Sequence, residues 1–137
     1  MHAVIDDRRL DPAVIAKMAT DESTGASVTF CGVVRDHDEG RGVRTLEYVA
    51  HPTASQRIAE IAERVSSAHP SLTGLVVAHR IGLLSVGDIA LVVVAASAHR
   101  QAAFEACAEL VEEVKRAVPV WKRHVFDDGT AEWVNSA

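Results

Sequence analysis

Residues 89–122 read IALVVVAASAHRQAAFEACAELVEEVKRAVPVWK, and this stretch decides the fold class. It opens with Ile89 to Ala96, a continuous apolar run with the length and β-branched content of a central strand. A long helix follows from about His99 to Val118. Pro119 stops it, because proline lacks an amide hydrogen and clashes with the preceding turn. Val120 to Phe126 then returns to a strand pattern, and the turn Asp127-Asp128-Gly129 joins it to Ala131 to Val134 as a hairpin.

Upstream, Leu75 to Ala78 reads as a second central strand, separated from the first by residues 81–88, where Gly82 and Gly87 permit a sharp change of direction. His51-Pro52 starts a helix whose Ile58, Ile61, Ala62 and Val65 fall at helical spacing, ending near His69-Pro70. Ala26 to Val34 reads as a buried strand, residues 35–42 as a polar loop free to move, and Val43, Leu46, Tyr48 and Ala50 as another strand. Near the N-terminus a short strand precedes a helix entered at Leu10-Asp11-Pro12, where Asp11 can cap the free amides. Gly25 closes that segment. Hairpins mixed with helices, rather than repeated strand-helix units, predict an α+β fold with a mixed or antiparallel sheet and two main helices. One domain is expected over residues 1–137.

The chain has 137 residues, 48% of them hydrophobic and 24% charged, enough to bury an ordinary core without disulfides or metals. Its two cysteines, Cys31 and Cys107, lie in apolar runs and are expected to be reduced and buried. A formal net charge of -5 argues against a broad basic face for nucleic acid. Residues 1–7 show no basic segment followed by an apolar one, and no apolar run is long enough to span a bilayer. No membrane association and a cytoplasmic location are therefore expected. In so acidic a chain, basic residues gathered in one place mark an anion site.

The long helix carries Phe104, Cys107, Ala108, Val111, Val114 and Val118 on one apolar face, and Lys115 falls within it, about 20° round from Phe104. Lys115 either snorkels to solvent or pairs with Glu112, or it is desolvated and becomes a proton donor, base or nucleophile. Arg100 projects on the same side at the other end, beside His99 at the helix N-terminus, where free amides attract anions. At about 1.5 Å per residue, Arg100 and Lys115 are about 22 Å apart. A site using both needs an extended ligand or two subunits. Lys122, on the strand beyond Pro119, is within reach of Lys115, with Trp121 on the opposite face. Arg35, at a strand end, is either an exposed arginine or a bidentate ligand for phosphate or carboxylate. Asp36-His37-Asp38-Glu39 lacks a second cluster at metal-ligand spacing, so no metal is expected. There is also no glycine-rich phosphate loop of the strand-to-helix type and no serine nucleophile motif.

Taken in order, Phe30-Cys31-Gly32-Val33-Val34-Arg35, Leu46-Glu47-Tyr48, His79-Arg80-Ile81-Gly82, Val86-Gly87-Asp88, Ser97-Ala98-His99-Arg100, Ala103-Phe104 and Lys115 through Pro119-Val120-Trp121-Lys122 resemble the large subunit of molybdopterin synthase, the MoaE family. The resemblance runs from about Phe30 to Trp133. It implies an α/β-hammerhead type of fold and a sulfurtransferase that needs no cofactor of its own. In that family, sulfur carried as a thiocarboxylate on the C-terminal Gly-Gly tail of a small ubiquitin-like subunit passes to cyclic pyranopterin monophosphate, forming the dithiolene of molybdopterin. The chain ends Asn135-Ser136-Ala137 without such a tail, which makes it the expected acceptor half.

Carried over residue by residue, Lys115 and Lys122 are the expected catalytic residues and Arg35, His99 and Arg100 the expected substrate-binding ones. The family implies a homodimer within a heterotetramer, with Arg35, Lys115 and Lys122 of one copy facing His99 and Arg100 of the other. Family members often carry a further basic residue beyond the tryptophan, and this chain has none after Trp133. A persulfide on Cys31 or Cys107 has no activating cation near it in sequence. The sequence is also compatible with two other readings: a non-catalytic adaptor that binds a ubiquitin-like tail, and a regulatory domain that binds a small molecule.

Overall fold

The computed structural model describes residues 1–135; Ser136 and Ala137 of the chain end discussed above lie outside the described residues. In chain order the elements are β1 (His2–Asp6), α1 (Pro12–Ala19), β2 (Ala26–Val33), β3 (His37–Asp38), β4 (Arg41–Ala50), α2 (Ala54–Ala68), β5 (Leu72–Arg80), β6 (Gly82–Ser85), β7 (Ile89–Ser97), α3 (Arg100–Ala117), β8 (Val120–Phe126) and β9 (Ala131–Asn135). The fold is α+β, and the two main helices expected from the sequence are α2 and α3. Asp11 caps α1 as anticipated, its carboxylate accepting from the Ala13 amide at 3.0 Å.

The apolar runs pair because each carries more hydrophobic surface than it can bury alone. In the first sheet, ordered β1-β5-β7-β2, β1 runs parallel to β5 and the other neighbours are antiparallel. The strand β7 is buried on both faces from Ala90 to Ser97, which is why its sequence is unbroken by charge. On one face Ile15 and Ala19 of α1 meet Val76, Ala78, Val92 and Val94. On the other, α2 and α3 bring Ile58, Ile61, Val65, Leu110 and Val114 onto Leu75, Val77 and Val93.

The second sheet is built on β4, which pairs antiparallel with β8, and β8 with β9. The other edge of β4 takes β3 and then β6. Both short strands depart from the sequence reading. The polar loop expected at 35–42 contains a tight hairpin in which His37 lies opposite Gly42 and Asp38 opposite Arg41. Glu39 and Gly40 turn it with φ of 48° and 79°, the pair of left-handed residues a two-residue primed turn requires. The expected change of direction at 81–88 contains β6, too short and too exposed to show in the sequence.

Two expectations about burial are corrected. Phe104 is 58% exposed and Ala108 is exposed; the buried stripe of α3 runs instead through Ala103, Ala106, Cys107, Leu110, Val111 and Val114. Alanines 103 and 106 let the helix axis approach the sheet, turning the larger Phe104 outward and leaving Lys115 exposed on the flank of the stripe. Cys31 is only half-buried, because β2 is an edge strand, whereas Cys107 is buried; both thiols are free.

The tightest approach in the first sheet is at Gly74 of β5, where an added Cβ would overlap the backbone carbonyl of Ala19 at the end of α1. Backbone cannot rotate away as a side chain can. Gly74→Ala is expected to cost about 1–3 kcal/mol, read as a lower midpoint of urea unfolding with unchanged slope.

Candidate functional site

A cavity of about 420 Å³ opens where the two sheets meet the C-terminal end of α3. Its position follows from the register of β4 on β8: Tyr48 lies opposite Lys122 and Leu46 opposite His124. Residues directly opposite share a face, so Lys122 and His124 project with Tyr48 and Leu46 toward the interior, while Trp121 and Arg123 take the other face. This is the separation of Trp121 from Lys122 that alternation predicted. Lys115 enters from the last turn of α3. Arg35 comes from the exit of β2, which is held by hydrogen bonds from Val34 N to Asp88 O and from Gly87 N to Val34 O. Three cations from three elements therefore line one cavity.

Neutral groups form its inner wall. His79 of β5 is 1% exposed, and its Nδ1 donates to the Arg80 carbonyl at 2.9 Å. A carbonyl can only accept, so the neutral ring carries its proton on Nδ1 and keeps its lone pair on Nε2. Burial first, and then the Lys115 charge, lower the His79 pKa, against the opposing effect of that hydrogen bond. Tyr48 meets the same ring edge-on, with centroids 4.9 Å apart at 82°, and burial raises its phenol pKa. Burial likewise raises the pKa of the Cys31 thiol, which lines the cavity, so it is held in the protonated form that is a poor nucleophile.

The lysine chemistry is shaped by the same surroundings. The pKa of Lys122 is lowered mainly by burial and further by the like charges of Lys115 and Arg35, while Asp38 opposes the shift. His124, 6% exposed, is likewise pushed down by burial and by Lys122, with Asp38 and Glu132 among the opposing charges. Such a cavity can bind an anion, stabilise negative charge as it develops, and offer both a lysine proton and an imidazole lone pair. Among the described residues, no group of three or more histidine, cysteine, aspartate or glutamate side chains is placed to hold a metal ion. No helix there is long and apolar enough to cross a membrane.

Of the residues singled out in the sequence, the structure brings together Arg35, Lys115 and Lys122 and leaves His99 and Arg100 apart. The latter two stand at the opposite end of α3, where Ser97 Oγ donates to the His99 carbonyl at the helix entry. His99 borders a separate groove with His69, Pro70 and Gln101. Sequence reasoning assigned no role to Tyr48, His79, Asp38 or His124. The alternation of β8 carried the signal for His124, two residues beyond Lys122 on the same face. His79 lies one residue past the strand read as Leu75 to Ala78 and enters the sequence reading only within the segment His79-Arg80-Ile81-Gly82, with no role of its own; β5 in fact continues to Arg80.

The chain matches the family model described as MoaE protein over residues 5–117. It is 43% identical over 122 residues to a protein from Oryza sativa subsp. indica named molybdopterin synthase catalytic subunit, covering 88% of this chain but 63% of the rice protein. A relative of the same name from Pyrococcus abyssi is 41% identical over 125 residues, covering 90% of this chain and 82% of that one. Among solved structures, molybdopterin synthase from Staphylococcus aureus superposes with a TM-score of 0.88 at 30% identity, over 96% of this chain and 95% of that chain. With these likenesses and the three-cation cavity together, the chain belongs to the MoaE family.

Proposed function

We propose that this chain is the catalytic subunit of a molybdopterin synthase. It takes sulfur from the thiocarboxylated C-terminal Gly-Gly tail of a small ubiquitin-like subunit and transfers it to cyclic pyranopterin monophosphate, giving the molybdopterin dithiolene. The observation that carries this reading is the convergence of Arg35, Lys115 and Lys122 on one cavity in a protein of net charge -5. The relatives named molybdopterin synthase catalytic subunit support it. We place the reaction in the cytoplasm, in a single domain spanning residues 1–137.

Both reactants are anions, one a cyclic phosphate and the other a thiocarboxylate, and they repel each other unless fixed positive charge holds them together. Lys115, exposed at the cavity edge, meets the tail and stabilises negative charge developing there or moves a proton to it. Lys122, deeper and partly desolvated, supports it. Arg35 holds the substrate with a planar guanidinium suited to phosphate. His99 and Arg100 come from a second copy of the chain, since one α3 cannot bring both its ends to one small substrate. The assembly is then a homodimer of this chain flanked by two small subunits.

The test mixes purified protein with a thiocarboxylated small subunit and cyclic pyranopterin monophosphate and follows molybdopterin. Lys115→Ala is expected to lower turnover roughly 10²–10³-fold with dimerisation intact; full activity would remove Lys115 from the mechanism. Tail binding without product from the native chain would favour the adaptor reading. A second expectation concerns pH. Lys122 acts as the cation, and its pKa is depressed, so activity is present below that value and lost as pH rises through it, at a lower pH than for an ordinary lysine. Lys122→Arg, which keeps its charge, should shift that alkaline limb of the rate profile upward.

A further inference from the structure

Among the described residues lining the cavity, Asp38 is the single carboxylate, set against Arg35, Lys115 and Lys122. Its Oδ1 lies 3.7 Å from an Arg35 guanidinium nitrogen and its Oδ2 3.4 Å from His124 Nδ1. Neither contact makes a hydrogen bond: the first is too long, and His124 Nδ1 is buried with no hydrogen-bond partner. The carboxylate therefore stands close enough to be drawn by the cations without being locked to any of them.

The backbone beneath it is fixed. Asp38 sits opposite Arg41 in the two-residue hairpin turned by Glu39 and Gly40. The Arg41 guanidinium lies 3.5 Å over the Phe126 ring and donates to Thr130 Oγ1 at 2.7 Å. Asp36 O, at the entry of the hairpin, accepts from Val43 N at 2.8 Å. The hairpin thus aims Asp38 into the cavity, and the side chain, 27% exposed, retains room to turn outward.

We propose that Asp38 is the resident counter-ion of the cavity: an incoming anion displaces it from Arg35 and His124, and its presence sets how tightly the cavity holds anions. The proposal rests on the reading of this cavity as an anion site. Asp38 weakens the site for any anion in proportion to charge, so a dianionic phosphate is held less tightly than three cations alone would hold it, and release is easier. His124 Nδ1, unpartnered against Asp38, becomes free to meet an oxygen of the ligand once the carboxylate has moved.

The experiment titrates inorganic phosphate into the full chain and its variants by calorimetry. Asp38→Asn, which keeps the shape and removes the charge, should bind phosphate about tenfold tighter at low salt. A merely structural lesion could only lose affinity. Glu39→Gln removes an equal charge from the next residue and should leave affinity within about twofold, because Glu39 points from the turn rather than into the cavity and is screened by solvent. Adding Arg35→Gln to Asp38→Asn should abolish the gain. Equal affinity of Asp38→Asn and native chain, an equal gain from Glu39→Gln, or a gain that survives Arg35→Gln would each overturn the counter-ion role and leave the anion site standing. Failure of both native chain and Asp38→Asn to bind phosphate would overturn the anion site and the proposal with it.

Discussion

The register of β4 against β8 is the constraint on which the site depends. Strand side chains alternate with a period of two, so slipping this ladder by one residue would send Lys122 and His124 to the outer face and bring Trp121 and Arg123 inward. Leu46 and Tyr48, both buried, lie opposite His124 and Lys122 and penalise any such slip by exposing core. The polar chemistry of the cavity is thereby fixed by hydrophobic packing on the same two strands. The helix α3 is seated independently, through Leu110, Val111 and Val114 on the first sheet, which sets the height at which Lys115 arrives.

Bringing three cations together in one cavity is electrostatically unfavourable, and the structure meets that cost with several kinds of neighbour. Arg35 and Lys115 remain exposed, so water screens them, while Lys122 is partly withdrawn and feels the others most. Asp38 supplies one opposing charge at the mouth. The deeper histidines, His79 and His124, have lowered pKa values and stay neutral at pH 7, so they add polarity without adding charge. The overall acidity of the chain lies elsewhere on its surface, which leaves the cavity as a local exception.

Much of the fold could be read from the sequence, because hydrophobic runs such as 89–97 and the spaced apolar residues of α2 report burial directly. What was missed is short or relational. The strand β6 exists only because β4 offers it an edge, and the 37–42 hairpin only because Glu39 accepts a left-handed conformation beside Gly40. Periodicity puts Phe104 on the apolar face of α3 whereas the structure turns it outward, since periodicity gives a helix face but not which of two adjacent rows meets the sheet. For the site, Arg35, Lys115 and Lys122 stood out as basic residues in apolar or strand-end settings. His79 and Tyr48 did not, because a histidine or tyrosine in an apolar strand has the same local pattern whether it faces packed core or a cavity wall.

The β4–β8 ladder has one more consequence, in the order of assembly. Val43 lies opposite Phe126 and Ala50 opposite Val120, so the two strands that define the cavity are separated by about half of the chain. Closing so long a loop is entropically slow compared with forming α2, α3 or the β5–β7 antiparallel pair. During synthesis the first sheet can be completed by β7, whereas the cavity must wait for β8. A nascent chain that has reached α3 therefore has the strands and helices of the first hydrophobic core but displays Lys115 without Lys122, so the three-cation cavity is completed only at the last stage of folding.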